Sequence, residues 1–163
     1  MVELSSEIHE NPEISYEEFA ARDLLVQELE GRGFELETGL AGLETSFRAR
    51  YRGSKPGPTV CLMVEYDALE DIGHACGHNL SGVASLGAAI AIKEIIEEND
   101  LSGEIIALGT PGEELHSGKV PMIEAGLFDE VDVAMMVHMF DRTVIDPKFI
   151  AMEGLEFKFR GKS

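Results

Sequence analysis

Two hydrophobic rhythms run along the chain. Behind Pro12, the residues Tyr16, Phe19, Ala20, Leu24, Leu25 and Leu29 recur at helical spacing, and Gly31 and Gly33 end the run. Ser15 followed by Glu18 has the form of a capping box, so the pattern predicts a surface helix that starts there and buries one face. Over 45–52 the period shortens to two. Phe47, Ala49 and Tyr51 alternate with Arg48, Arg50 and Arg52, which predicts a half-exposed strand with a turn over 53–58 behind it. The middle of the chain predicts an apolar strand Thr59–Val64 and a helix over 80–97 that is apolar nearly all round through Ile92, and therefore buried. A second apolar strand over 104–108, a short helix over 120–125 ending at Gly126, and a third apolar strand over 131–137 follow. Continuous apolar strands separated by helices imply parallel pairing covered on both faces, so the predicted fold class is α/β.

The last stretch breaks this pattern. Leu155, Phe157 and Phe159 alternate with Glu156, Lys158 and Arg160, which predicts one amphipathic strand. A lone strand has nothing to pair with. The expectation is that residues 1–150 belong to one domain and that 151–163 open a second. The alternative is that this strand closes the edge of the main sheet.

Length and charge narrow the function classes. The chain has 163 residues, the size of one domain. With 31 acidic against 13 basic side chains its net charge is -18, which excludes a nucleic-acid binder and disfavours an anionic membrane surface. No segment approaches the ~18 uninterrupted apolar residues of a membrane span, and the first residues lack the basic and apolar regions of a secretory signal. Cys61 lies in an apolar run and reads as core; with Cys76 as its only companion there is no disulfide framework, and a cytoplasmic protein is expected.

Each central strand is followed at once by residues that bind metals or move protons. Asp67 and then His74, Cys76 and His78 follow the first, Glu113 and Glu114 the second, and His138 the third. Sites in parallel α/β sheets form beyond the carboxyl ends of the strands, so this convergence marks the candidate site. Cys76 and His78, one glycine apart, can turn a thiolate and an imidazole toward one divalent ion, although Cys76 alone could equally be a reactive or buried cysteine. Of the acid pair, one carboxylate could coordinate while its neighbour faces a water; adjacent acids otherwise mark a solvated surface. His138 closes an apolar run and reads as a ligand rather than a satisfied core histidine. Asp67 could ligate, or orient His78 from behind. His74 reads as structural or as a loop hydrogen-bonder, and His116 is open between surface and pocket wall. His9 carries no role, Met135, Met136 and Met139 read as packing, and Lys119 as a helix start.

The segments His9-Glu10-Asn11-Pro12-Glu13, Glu65-Tyr66-Asp67-Ala68-Leu69, His74-Ala75-Cys76-Gly77-His78-Asn79, Gly109-Thr110-Pro111-Gly112-Glu113-Glu114 and Phe159-Arg160-Gly161-Lys162-Ser163 occur in that order over essentially the whole chain. In these the sequence resembles the aminoacylase/carboxypeptidase family of dinuclear metallo-amidohydrolases. It is most similar to the branch with aminobenzoyl-glutamate hydrolase, auxin-conjugate hydrolases and a dipeptidase of β-alanyl peptides. The resemblance implies a three-layer sandwich with a mostly parallel sheet, cut where a ferredoxin-like lid or dimerisation domain begins. It also implies two divalent ions (Zn or Mn, or else Co), with Cys76 as a bridging thiolate and His78, Glu114 and His138 as further ligands. Glu113 would be the general base for a metal-activated water, and Asp67 a carboxylate behind His78. The implied substrate is a small molecule, an N-acyl amino acid or dipeptide, and the implied full-length protein a homo-oligomer, a dimer through the lid. The chain by itself, short of a further histidine ligand and the lid, is expected to be inactive.

Asn79 and Ser81 stand where many relatives carry Asp and a second histidine, which fits the aminobenzoyl-glutamate and β-alanyl branch better than the auxin-conjugate branch. Glu70 and Asp71 replace a common Pro-Gly and leave substrate preference open. Two other readings compete with the enzyme: a non-catalytic metal-binding or assembly subunit, which has no use for a base such as Glu113, and a plain α/β domain.

Overall fold

The computed structural model describes residues 1–148, 150, 155 and 157–161. Its elements in order are α1 (Val2–Glu10), α2 (Phe19–Glu30), β1 (Glu35–Thr38), a single 3-10 turn (Leu40–Gly42), β2 (Phe47–Arg52), β3 (Thr59–Val64), α3 (His78–Asn99), β4 (Glu104–Gly109), α4 (Glu113–His116), α5 (Lys119–Glu124) and β5 (Val133–Met135). The strands form one sheet in the order β1-β2-β4-β3-β5. β3 pairs in parallel with both β4 and β5, whereas β2 runs antiparallel to β4 and to β1. The α/β class holds, and the sheet is mixed.

Side-chain alternation along β3 and β4 divides the interior in two. Leu62, Val64, Ile105 and Ala107 join Phe47 and Ala49 in a core roofed by Leu25 and Leu29 of α2, Ile8 of α1 and Leu86, Ala89 and Ile90 of α3. Cys61, Ile106 and Leu108 point the other way, against Met122 of α5 and the segments around Leu40 and Phe128. The expected layers are therefore present, and Cys61 is fully buried core as read from sequence. Gly82 is what lets α3 lie so close on the sheet: a Cβ there would come within 2.2 Å of the Glu65 carbonyl oxygen.

Several sequence expectations need correction. Ser15 does not cap α2; its hydroxyl donates to Asp67 Oδ2 at 3.0 Å, and Tyr16, with φ +67°, lies outside the helix. The helix is capped instead by Glu13, whose carboxylate accepts from the Ala20 and Ala21 amides at 3.1 and 2.9 Å. Helix α3 starts at His78, two residues before the expected start at 80, which places a candidate ligand in its first turn. Strand β1 has no counterpart in the sequence reading, because its apolar signal is one leucine among Glu35, Glu37 and Thr38. It pairs antiparallel with β2 and sets Leu36 against the core, with charge pairs across the strands from Arg48 to Glu37 at 2.7 Å and Arg52 to Glu35 at 2.6 Å. β5 is shorter than expected and, as an edge strand, exposed rather than covered on both faces, so Met135 packs poorly at 47% exposure. Of the amphipathic stretch over 155–160, Glu156 lies outside the described residues; Leu155, Phe157 and Phe159 are exposed and in no strand, as expected where no neighbouring strand offers a partner.

Candidate metal centre

The parallel register carries the ends of β3, β4 and β5 to one side of the sheet, and the loops that leave them meet there. Asp67, just past β3, is 1% exposed and accepts three hydrogen bonds. They come from His78 Nδ1 at 3.0 Å, the Glu114 amide at 2.9 Å and the Ser15 hydroxyl at 3.0 Å. Burial works against its charge, but these donors, His78 first, outweigh it and hold the carboxyl below its ordinary range. Because the Asp67 carboxylate and backbone carbonyl oxygens near His78 Nδ1 can only accept, that nitrogen carries the proton. The lone pair is left on Nε2, which faces the site. Asp67 therefore orients His78, the second of its two sequence readings. Burial opposes protonation of His78, yet Asp67, Glu65 and Glu114 together raise its pKa.

Around His78 Nε2 lie Glu65 Oε2 at 3.4 Å, Glu114 Oε1 at 3.8 Å and Glu113 Oε2 at 3.9 Å. His138 approaches from the loop after β5, its ring 5.5 Å from that of His78 and edge-on to it. Its Nδ1 donates to the Met139 carbonyl at 2.8 Å, which turns Nε2 to within 3.9 Å of Cys76 Sγ and 3.8 Å of Glu65 Oε2. Two groups result whose ligand atoms all lie within 4.8 Å of one another: Cys76, His78 and His138, and Glu65, His78 and Glu113.

Whether the donor set suits a cation is decided by the buried atoms that lack a partner. Glu65 Oε2, His78 Nε2 and Glu114 Oε1 are all buried without a hydrogen bond. Buried polar atoms are nearly always satisfied, and orphans from three chain segments at one point are what a missing positive charge leaves behind. The spacings fit too, since two ligands at about 2.1 Å from a tetrahedral ion stand roughly 3.4 Å apart. Without an ion the Cys76 thiol is pushed up to about 12 by burial and then by the Glu114, Glu113 and Glu65 carboxylates. Only a cation would offset that field and make it a thiolate. Glu113, raised by burial and by Glu65, is held closer to neutrality than an ordinary carboxyl.

The structure thus brings Asp67, Cys76, His78, Glu113, Glu114 and His138 together. It keeps apart His9, exposed on α1, and His116, which is exposed and stacks on Tyr16 at 4.8 Å. His74 is buried near His9 and against the Ile8 backbone, in keeping with its reading as structural or as a hydrogen-bonder. Sequence reasoning missed Glu65 and Lys119. Lys119 Nζ donates to Glu65 Oε1 from the start of α5, so it is more than a helix start. A carboxylate ending a buried apolar strand was the available signal. Glu18 was also underread: fully buried, it accepts from the Gly112 amide at 2.8 Å and the Thr45 hydroxyl at 2.9 Å, and so fixes the loop that carries Glu113.

Comparison with known proteins fits this arrangement. Residues 58–154, more than half the chain, match the profile of peptidase family M20/M25/M40. The chain belongs to this family. Among curated M20 relatives it is 35% identical to a p-aminobenzoyl-glutamate hydrolase subunit of Escherichia coli, over 83% of this chain and 31% of the relative. It is 36% identical to the Xaa-Arg dipeptidase of Mus musculus, over 98% of this chain and 39% of the relative. The chain thus spans 31–39% of the length of these relatives. Among solved structures, a dinuclear metal-binding M20 peptidase from Bacillus subtilis superposes with a TM-score of 0.72 at 24% identity, covering 82% of this chain and 40% of that one. The aminobenzoyl-glutamate utilization protein of Klebsiella pneumoniae gives 0.66 at 20% identity, covering 82% and 41%. These two likenesses concern the fold.

Proposed function

We propose that this chain carries the metal centre of a hydrolase that cleaves an amide bond in N-acyl amino acids or small dipeptides. The observation that supports it most is the convergence of three buried, unpartnered atoms, on Glu65, His78 and Glu114, beside Cys76, Glu113 and His138. Cys76, His78, Glu114 and His138 are the side chains that would hold two divalent ions, Zn, Mn or Co. Such ions, when bound, acidify water and polarise an amide carbonyl.

The protein's own groups supply the rest. Asp67 fixes the tautomer and direction of His78, as the partner behind a metal-bound imidazole does. Glu113, its pKa raised and its carboxylate part-exposed, is the proposed general base: it takes a proton from water and returns it to the departing amine. Beside Cys76, an open cleft of about 780 Å³ lined by His9, His74, Asn79, Leu80 and Met139 offers room for a small substrate. The names of the M20 relatives, acting on p-aminobenzoyl-glutamate and on Xaa-Arg dipeptides, support that substrate class. The further proposals are a second domain opening at 151, which supports dimer formation in the full-length protein, and a cytoplasmic location, in keeping with two free thiols.

The test is elemental mass spectrometry on this chain with added Zn or Mn, paired with Glu113→Ala in the full-length protein. One or two ions per chain, with Glu113→Ala retaining metal and losing turnover by about 10²-fold or more, is the expected result. Loss of metal in that variant would swap the roles of Glu113 and Glu114. Metal binding with no turnover by the unsubstituted protein would favour the metal-binding subunit instead.

A further inference from the structure

Glu65 is the one fully buried carboxylate at the centre that has no role in the set above. It lies just past the end of β3 at 2% exposure, where an uncompensated negative charge is costly. One oxygen, Oε1, is held by Lys119 Nζ. The other, Oε2, makes no hydrogen bond and stands between the two site histidines, 3.4 Å from His78 Nε2 and 3.8 Å from His138 Nε2.

The ligand count sharpens this. His78 belongs to both donor groups but has one lone pair, on Nε2, and can serve one ion only. Without it the Cys76 group keeps Cys76 and His138, while the other keeps Glu65 and Glu113, and with Glu113 assigned as the base Glu65 is the one ligand left there. Glu65 Oε2 is within ligand spacing of Nε2 of both histidines, so it can share an ion with either. From these positions we infer that Glu65 is a further metal-ligating carboxylate, and that Lys119 is the positioning residue that turns its free oxygen inward.

Lys119 suits that task. Anchored at the first residue of α5, it grips Oε1 and fixes the carboxylate plane, so the ion meets an oxygen already aimed at it. Its charge also offsets one carboxylate of the acid-rich site without occupying the ligand position.

The inference rests on the metal reading above, and the test separates the two. Zn affinity of the chain is measured by competition with a chelator, and the coordination is read from the absorption spectrum of the Co-loaded chain. Glu65→Gln should weaken Zn binding about 10- to 100-fold and change the Co spectrum. Lys119→Met should weaken binding about tenfold and shift the same bands, with Lys119→Arg restoring both. Should Glu65→Gln fold poorly with Lys119 left unpaired, the double variant Glu65→Gln/Lys119→Met removes both charges and should show the same loss. Unchanged affinity and spectrum in Glu65→Gln would overturn the inference and leave the metal reading standing. No Zn or Co binding by the unsubstituted chain would overturn both.

Discussion

The two halves of the centre are built differently. Glu65, Asp67 and His78 sit at the end of β3 and the first turn of α3, all at 2% exposure or less, and each has a protein group behind it. Cys76, Glu113 and His138 sit on loops or a four-residue helix, part-exposed or exposed, with longer contacts such as the 3.9 Å from Cys76 to His138. The first half is preorganised by the fold whether or not an ion is bound. The second has little besides an ion to draw it together. Substitutions should therefore separate: in the buried half they cost fold and metal together, in the open half metal alone.

The largest effect should follow His78→Ala. It removes the imidazole that donates to Asp67 Oδ1, leaving that buried oxygen unpaired while the Glu114 amide and Ser15 hydroxyl still hold Oδ2. Breaking a buried pair in this way costs about 3–5 kcal/mol, to be read from urea unfolding of the ion-free chain near neutral pH. A loss below about 1 kcal/mol would show that the buried half is not preorganised.

Glu18→Ala should come next, because Glu18 ties the open half to the buried one. It strands the buried Gly112 amide and Thr45 hydroxyl, at about 1–3 kcal/mol, measurable as a lower thermal midpoint. Metal affinity should drop with it, since the Gly112 loop carries Glu113 and Glu114.

A smaller, pH-dependent effect belongs to the Asp67–His78 pair. Asp67 is held below its ordinary 3.8, so its contribution is present above that value and lost as pH falls through the folded pKa. His78 is raised above 6.5 by Asp67, Glu65 and Glu114, so its contribution is complete below 6.5 and lost as pH rises through its folded pKa. The ion-free chain should lose stability as pH rises above about 6.5 and through the folded pKa of His78, and Asp67→Asn should flatten that slope. A slope unchanged in Asp67→Asn would assign the pH dependence to other groups.

The same division explains what the sequence made legible. β3 matches its predicted bounds, and β4 and α5 match within one residue at each end, because their burial is written as local apolar pattern. The candidate ligands were legible because they directly follow those strands. What was lost depends on distant partners. The Ser15 hydroxyl looked local but is drawn away by Asp67, 52 residues on, while Glu13 caps the helix. β1 has a single apolar residue, Leu36, to set against the core and is placed by its pairing with β2, which no local pattern announces. Glu65 and Lys119, 54 residues apart, each look ordinary until the fold joins them.

The smallest effect on stability should come from Cys76→Ser, and it tests the open half most directly. The side chain is only part-buried, and its contacts are a 3.9 Å approach to His138 and the neighbouring Glu114 carboxylate. Replacing it in the ion-free chain should shift unfolding by no more than about 0.5 kcal/mol. With Zn present the difference should widen, because the unsubstituted chain gains stability from binding an ion that the variant holds poorly. The comparison is therefore a difference of differences: unfolding of both chains, with and without Zn. A substantial cost without Zn would mean that the fold itself draws in Cys76. Equal stabilisation of both chains by Zn would remove the thiolate from the centre.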